Sequence, residues 1–397
     1  MKTWKHVISG LLALALLASL SCAALAAEPK AEKAAKPTGQ FSQWFPRLEQ
    51  DPAAPEAVEA VLARMGTAVK QSRTVGGVTA TLNGAVWDGD TLRMSLAVKA
   101  PNIPKEVAGK TNLYTEECSI ALPEEDWKTY VRKDEERHCE ELAEQEGRSV
   151  EDCTEGLEQS VQRFLDMGQT DYWNHVNILN FPLVSREKDT LLFEVWLSFK
   201  DYLKQPEVTL HLENIATYED GKGDRVTWQD GKRTGPGPKD TILKGPMDFT
   251  FQLENVLPAA EYTGDVRVTA DKVPFRFTGF EIGPFEVNVD YETLAPVNSI
   301  RVTKPGEAEP APDPDKLDHQ DVSKALHKVI QGLWTKDGKF VDLSQRGGGS
   351  SMVTSPDGTC DGDVGVTYAF PIDPAAVTAV KLGGTRVELA KLTAARK

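Results

Sequence analysis

The chain has 397 residues, 40% hydrophobic and 26% charged, which is enough apolar material for packed cores and a length suited to two domains. Its 45 Lys and Arg face 60 Asp and Glu, a formal net charge of −15. Such a surface repels phosphate backbones and anionic headgroups, so sequence-independent nucleic-acid binding and adhesion to anionic lipid are excluded.

Residues 1–27 read as a signal peptide. Lys2 and Lys5 precede an apolar run from Val7 to Leu20, too short to span a bilayer, and Ala24-Leu25-Ala26 offers a cleavage site. Cys22 supplies a rival, lipid anchoring behind Leu20-Ser21, although Ser19 stands where an aliphatic residue is usual. Secretion or an N-terminal lipid is therefore the expectation, with no transmembrane segment in the mature chain. Residues 28–50, rich in Ala, Lys, Glu and Pro, read as a tether.

Next, Val58, Val61, Leu62 and Met65 form one helical stripe. From Val75 the period becomes two. Val78, Ala80 and Leu82 precede Asp88-Gly89-Asp90, a hairpin signal, and Leu92, Met94, Leu96 and Val98 return. Residues 124–167 interrupt the strands with 15 acids against 6 bases. We read a helical hairpin there, broken at Gly147, with Ser149 as an N-cap and a solvated acidic face. Leu191 to Phe199 alternates again, placing Glu194, Ser198 and Lys200 outward, and Val208, Leu210 and Leu212 follow. Residues 218–246 read as a long loop with a small hairpin at Asp230-Gly231, leading to Phe249, Phe251 and Leu253.

A second β region begins at 257 with Val266, Val268, Phe275, Phe277, Val287 and Val289. Residues 304–316 form an acidic, Pro-rich loop. Val322, Ala325, Leu326, Val329, Ile330 and Leu333 make a helical face with Asp321 near its N-cap. The Gly347–Ser351 run reads as a loop, and Gly383-Gly384 as the last hairpin turn. Short strands between turns, without helix-strand alternation, indicate a mostly β chain of two sandwich domains, 51–256 with the helical insertion and 257–397 with a short helix.

Four cysteines follow the leader. Cys139 and Cys153, with 13 residues between them in the charged helical stretch, are the expected disulfide, with two thiols as the alternative. Cys118 and Cys360 fall in different domains, where a bridge would clamp the two. A zinc set of Cys118, His138, Cys139 and Cys153 lacks the close cysteine pairs of structural sites. No catalytic constellation, P-loop or metalloprotease motif is present in the sequence, so neither catalytic residues nor a cofactor are assigned. Calcium is the one ion considered, for the Asp-rich turns at 220–224, 357–363 and 313–318, none of which has the full loop pattern. Among Trp87, Trp127, Trp173, Trp196, Trp228 and Trp334, Trp196 lies on the outward strand phase and is the candidate ligand-facing residue.

The segments TVGGVTATLNGAVWDGDTLRMSLAVKAP, FPLVSREKDTLLFEVWLSF, VTLHLENI and FPIDPAAVTAVKLGGTRVEL resemble the immunoglobulin-like ectodomains of unknown function attached to bacterial anti-sigma factors, and their secreted free-standing relatives. The resemblance implies tandem immunoglobulin-like sandwiches outside the membrane, in a sensing or interaction role, and carries over no site residues. The chain departs from the membrane-bound members in having a cleavable leader and no cytoplasmic sigma-binding region. A non-enzymatic envelope protein that binds an extracytoplasmic protein or a cell-wall polymer is the resulting expectation. The alternative is a carbohydrate-binding module or glycan-acting enzyme.

Overall fold

The computed structural model describes residues 39–48, 55–109, 111–115, 118–146, 156–176, 179–223, 227–229, 232–298, 313, 316–346, 348–355 and 357–394. The leader, Gly147, Ser149 and Cys153 lie outside the described residues. The chain is mostly β and falls into two compact units that meet in sequence at Pro258/Ala259.

The N-terminal unit opens with α1 (Gln40–Trp44) and α2 (Pro55–Met65), the latter buried along Val58, Val61, Leu62 and Met65. Strands β1 (Gly66–Val75), β2 (Val78–Trp87) and β3 (Thr91–Lys99) form a meander. The Asp88-Gly89-Asp90 turn joins the last two: Gly89 takes φ 99°, and Asp88 Oδ1 accepts from the amides of Asp90 and Thr91. After β4 (Ser119–Ala121) come α3 (Glu124–Glu146), α4 (Leu157–Met167) and α5 (Gln169–Val176). Then follow β5 (Leu183–Glu187), β6 (Thr190–Ser198), β7 (Glu207–Tyr218), the small hairpin β8 (Thr227–Gln229) and β9 (Lys232–Thr234), and β10 (Pro238–Gln252).

Pairing is antiparallel, in sheets ordered β1-β2-β3-β6-β5 and β10-β7-β4. Setting β1 aside, β2 to β7 and β10 take the places of immunoglobulin strands A to G, with A-B-E-D in one sheet and G-F-C in the other. Inward residues of both sheets, among them Leu82, Leu96, Phe193, Leu210 and Phe249, share one core. The helical insertion joins that core through Trp127, Tyr130, Phe164, Tyr172 and Trp173. It is thus a packed layer between strands C and D, and only its outer side is solvated.

The C-terminal unit repeats the plan. Its strands are β11 (Ala260–Ala270), β12 (Val273–Ile282), β13 (Glu286–Thr293), β14 (Ile330–Thr335), β15 (Phe340–Asp342), β16 (Gly348–Ser350), β17 (Val353–Thr354), β18 (Cys360–Thr367), β19 (Val377–Leu382), β20 (Thr385–Glu388) and β21 (Thr393–Ala394), with α6 (His319–Val329) before β14. The sheets run β16-β18-β13-β12-β11-β21 and β15-β14-β19-β20. With β12 as A and β13 as B, these are D-E-B-A and C′-C-F-G, and β11 precedes A as β1 does in the first unit.

Several expectations change. Strand β1 was not visible as a strand: it is an edge strand whose side chains after Thr67 are mostly solvated, so no apolar alternation marks it. Strand β10 begins at Pro238, inside the segment read as loop, because its first four residues are exposed. Glu194 does not face water. The outer face of its sheet is roofed by α1 and α2, whose Trp44 lies where a Cβ on Gly84 would stand, and Glu194 is 2% exposed. In the second unit the apolar stripe spans two elements: α6 ends at Val329, and Ile330 and Leu333 belong to β14. Asp318 is its N-cap, accepting from Gln320 N at 2.7 Å, and Asp321 lies in the first turn. Gly348 to Ser350 pairs with Val364 to Val366 as a strand.

Candidate functional site

Two units of one topology permit an internal comparison of their loops. In the C-terminal unit the F–G connection is the pair Gly383-Gly384, at φ 51° and 87°, and the sandwich closes on it. In the N-terminal unit the same connection runs from Glu219 to Gly237 and carries its own hairpin. Closure does not require that length, and long connections on a closed scaffold are where recognition sits. The B–C connection, residues 100–118, lies at the same end of the sandwich.

Both loops are held by specific bonds. Arg186, on strand D, donates to the carbonyls of Pro104 and Val107 at 2.6 Å and of Ile103 at 3.3 Å, fixing the B–C loop from beneath. Ala100 N donates to Asp189 O at 2.8 Å, and Tyr114 exchanges backbone bonds with Ala216 at 2.8 and 3.1 Å. On the F–G side, Asp220 Oδ1 accepts from Lys222 N and Gly223 N, a local turn that lets Gly223 lie under the Tyr218 ring. Asn112 Nδ2 reaches across to Lys222 O at 3.3 Å.

Between the loops lies a shallow hollow of about 350 Å³. Glu106, Thr111 and Asn112 line it from the B–C side. Thr217, Tyr218, Lys222 and Lys239 line it from the F–G side. Thr217 is fixed by Asp240, whose amide it receives at 3.1 Å, and Lys239 Nζ stands 3.8 Å from the Asp240 carboxylate. The hollow offers two ammonium groups, a carboxylate, two hydroxyls, an amide and a ring wall. These groups suit a polar ligand and match no reactive pair of nucleophile and base.

The residues singled out in the sequence lie elsewhere. Trp196 is half-buried on the outer face of β6, opposite Arg93, with its backbone N–H and C=O bonded to Asn180. Beside it Arg93 Nη1 meets Glu194 Oε1 at 2.9 Å, and Asn83 Nδ2 meets Ser95 Oγ at 3.1 Å. Glu194 Oε2 has no hydrogen-bond partner among the described residues. Trp87, Trp127 and Trp173 are core side chains, at 2%, 5% and 1% exposure, and present no face to a ligand.

The carboxylates of the 357–363 turn accept local bonds. Asp357 accepts from Thr359 N and Oγ1, Asp361 from Ser355 and Asp363 from Ser351. Among the described residues no group of three His, Cys, Asp or Glu side chains is placed to hold a metal.

Cys139 is half-buried, and its expected partner Cys153 lies outside the described residues. Cys360 is a free thiol at 0% exposure, its pKa raised by burial, so it forms no bridge to Cys118. His211 sits on the outer strand phase. Burial opposes its charging, but hydrogen bonds to Asp248 at 2.7 Å and Glu213 outweigh that and raise its pKa.

The sequence reading missed the lining residues of the hollow: Tyr218, Lys222 and Lys239 fall in the segment read as a long loop, and residues 100–118 were assigned no element. The signal available was the length of two loops on a fold that closes without them. No helix among the described residues is long and apolar enough to cross a membrane.

No family model matches the chain, and no curated protein is similar to it. A solved structure described as a conserved domain protein from Bacillus anthracis is similar over 82% of this chain and 78% of its own, at 9% identity and a TM-score of 0.38. At that score the likeness carries no argument.

Proposed function

We propose that this chain is a non-enzymatic binding module of the cell envelope, exported by its leader, and that it takes its ligand at the B–C/F–G end of the N-terminal domain. The observation behind this reading is the pair of elaborated loops around a polar hollow, on a topology that closes elsewhere in the same chain with two glycines. The resemblance to ectodomains of anti-sigma factors agrees with a ligand met outside the membrane. An extracytoplasmic protein and a wall polymer are the two partner classes.

The test is co-sedimentation of the purified chain with native cell envelopes, intact and protease-stripped. Pelleting is expected with intact envelopes, and K222E/K239E should abolish it. Survival on stripped envelopes would identify a wall polymer, and loss a protein. Failure to pellet, or pelleting that K222E/K239E leaves unchanged, overturns the reading.

A further inference from the structure

The hollow between the B–C and F–G loops, taken as the ligand site proposed above, also limits what can fill it. Its volume of about 350 Å³ suits a small ligand or a short segment of a larger one, and its walls carry opposite charges. Glu106 stands on the B–C wall, and Lys222 and Lys239 stand on the F–G wall. The Lys239 ammonium is shared with Asp240 at 3.8 Å. Glu106 and Lys222 differ from it: their charged groups have no ion-pair or hydrogen-bond partner among the described residues.

Both charges rise from backbone that is held. Val107 N donates to Pro104 O at 3.1 Å, and the Arg186 fork grips the carbonyls of the same two residues, so the turn carrying Glu106 is fixed. Lys222 is bonded on both sides of its backbone: its N–H donates to Asp220 Oδ1 at 3.0 Å, and its C=O accepts from Asn112 Nδ2 at 3.3 Å. The Asn112 bond also ties one wall to the other. Thr111 and Asn112 add a hydroxyl and a side-chain amide to the lining, groups that match a peptide N–H and C=O.

Opposed free charges select for a ligand that carries both signs. An anionic ligand meets repulsion from Glu106 and a cationic one from Lys222, and either leaves one wall uncompensated. A ligand with an ammonium group and a carboxylate satisfies both walls at once. We infer that the hollow receives a short peptide segment bearing a free ammonium group and a free carboxylate, the ammonium against Glu106 and the carboxylate against Lys222.

Alanyl-alanine in four forms (free, N-acetylated, C-amidated and blocked at both ends) would be titrated into the nitrogen-15-labelled full chain at low salt and followed by amide shifts. The free form should bind tightest and move amides in 106–112 and 217–223. Acetylation and amidation should each weaken binding about fivefold, the upper end for one exposed ion pair. E106Q should make the chain indifferent to acetylation alone and K222M to amidation alone, while K239M leaves both discriminations intact. Spectra unchanged outside these loops show that each variant is folded. Binding of the doubly blocked form as tight as that of the free form, or equal weakening of all four forms by E106Q or K222M, overturns the inference. Co-sedimentation separates this inference from the reading it rests on. If no form binds while K222E/K239E still abolishes envelope pelleting, the hollow stands as the ligand site and the peptide ligand falls. If K222E/K239E leaves pelleting unchanged as well, both fall.

Discussion

Replacing Arg93 by Met tests the ion pair under the N-terminal roof. The substitution conserves the bulk of the stem and strips the Glu194 carboxylate of its partner, while that carboxylate stays 2% exposed. Removing one member of a buried pair costs about 3–5 kcal/mol, because the remaining charge is neither hydrated nor compensated. Arg93 is itself 21% exposed, so water can enter where its head group stood, and the lower end, about 3 kcal/mol, applies. For a domain of this size each kcal/mol moves Tm by about 2–4 °C, so R93M should melt about 6–12 °C below the parent in scanning calorimetry. The double variant R93M/E194L replaces the pair by apolar contacts and should recover most of that loss. An R93M shift under about 2 °C, or a double variant no more stable than R93M, would refute the account of a roofed, desolvated pair.

Asp88 gives a pH prediction. Burial, opposed by hydrogen bonds from Thr91 and Asp90, raises its pKa from 3.8 to about 6. The folded chain therefore holds a proton that the unfolded chain releases between those values, and stability falls as pH rises through the window, with a ceiling of about 3 kcal/mol. D88N keeps the acceptor for both amides and should flatten the Tm-against-pH curve from pH 4 to 6.5 while raising Tm at pH 7.5; a slope unchanged from the parent would count against it. R186A removes the fork that holds Ile103, Pro104 and Val107, so amide exchange across 103–111 should accelerate and envelope binding should weaken, with little change in far-ultraviolet dichroism. Cys360, at 0% exposure, should resist a water-soluble thiol reagent in the native chain and react on unfolding.

Local periodicity carried much of the secondary structure. The Val58 to Met65 stripe, the Asp88-Gly89-Asp90 turn and the Gly383-Gly384 turn each encode their geometry within a few residues. Elsewhere the informative contacts are remote in sequence. Strand β1 is specified by pairing with β2 and by side-chain bonds such as Gln71 Nε2 to Thr250 O, which no pattern in its own residues reveals. Glu194 looks outward by strand phase, and the helices α1 and α2 over the sheet make it interior. The end of α6 was hidden because Ile330 and Leu333 continue a helical spacing while their backbones join a strand. Of the candidate site, only the 218–246 connection was legible, and the convergence of Glu106 with Lys222 and Lys239 on one hollow required the strand order, which spacing along the chain does not contain.

The repeated strand order makes the chain its own engineering control. Gly383-Gly384 occupies the connection that holds nineteen residues, 219–237, in the N-terminal domain. The C-terminal domain is thus a blank recipient for transplanting that arm, and the N-terminal domain can be trimmed to a two-glycine turn. Reciprocal chimeras would separate what the scaffold needs from what recognition added, with both halves of the exchange drawn from a single polypeptide.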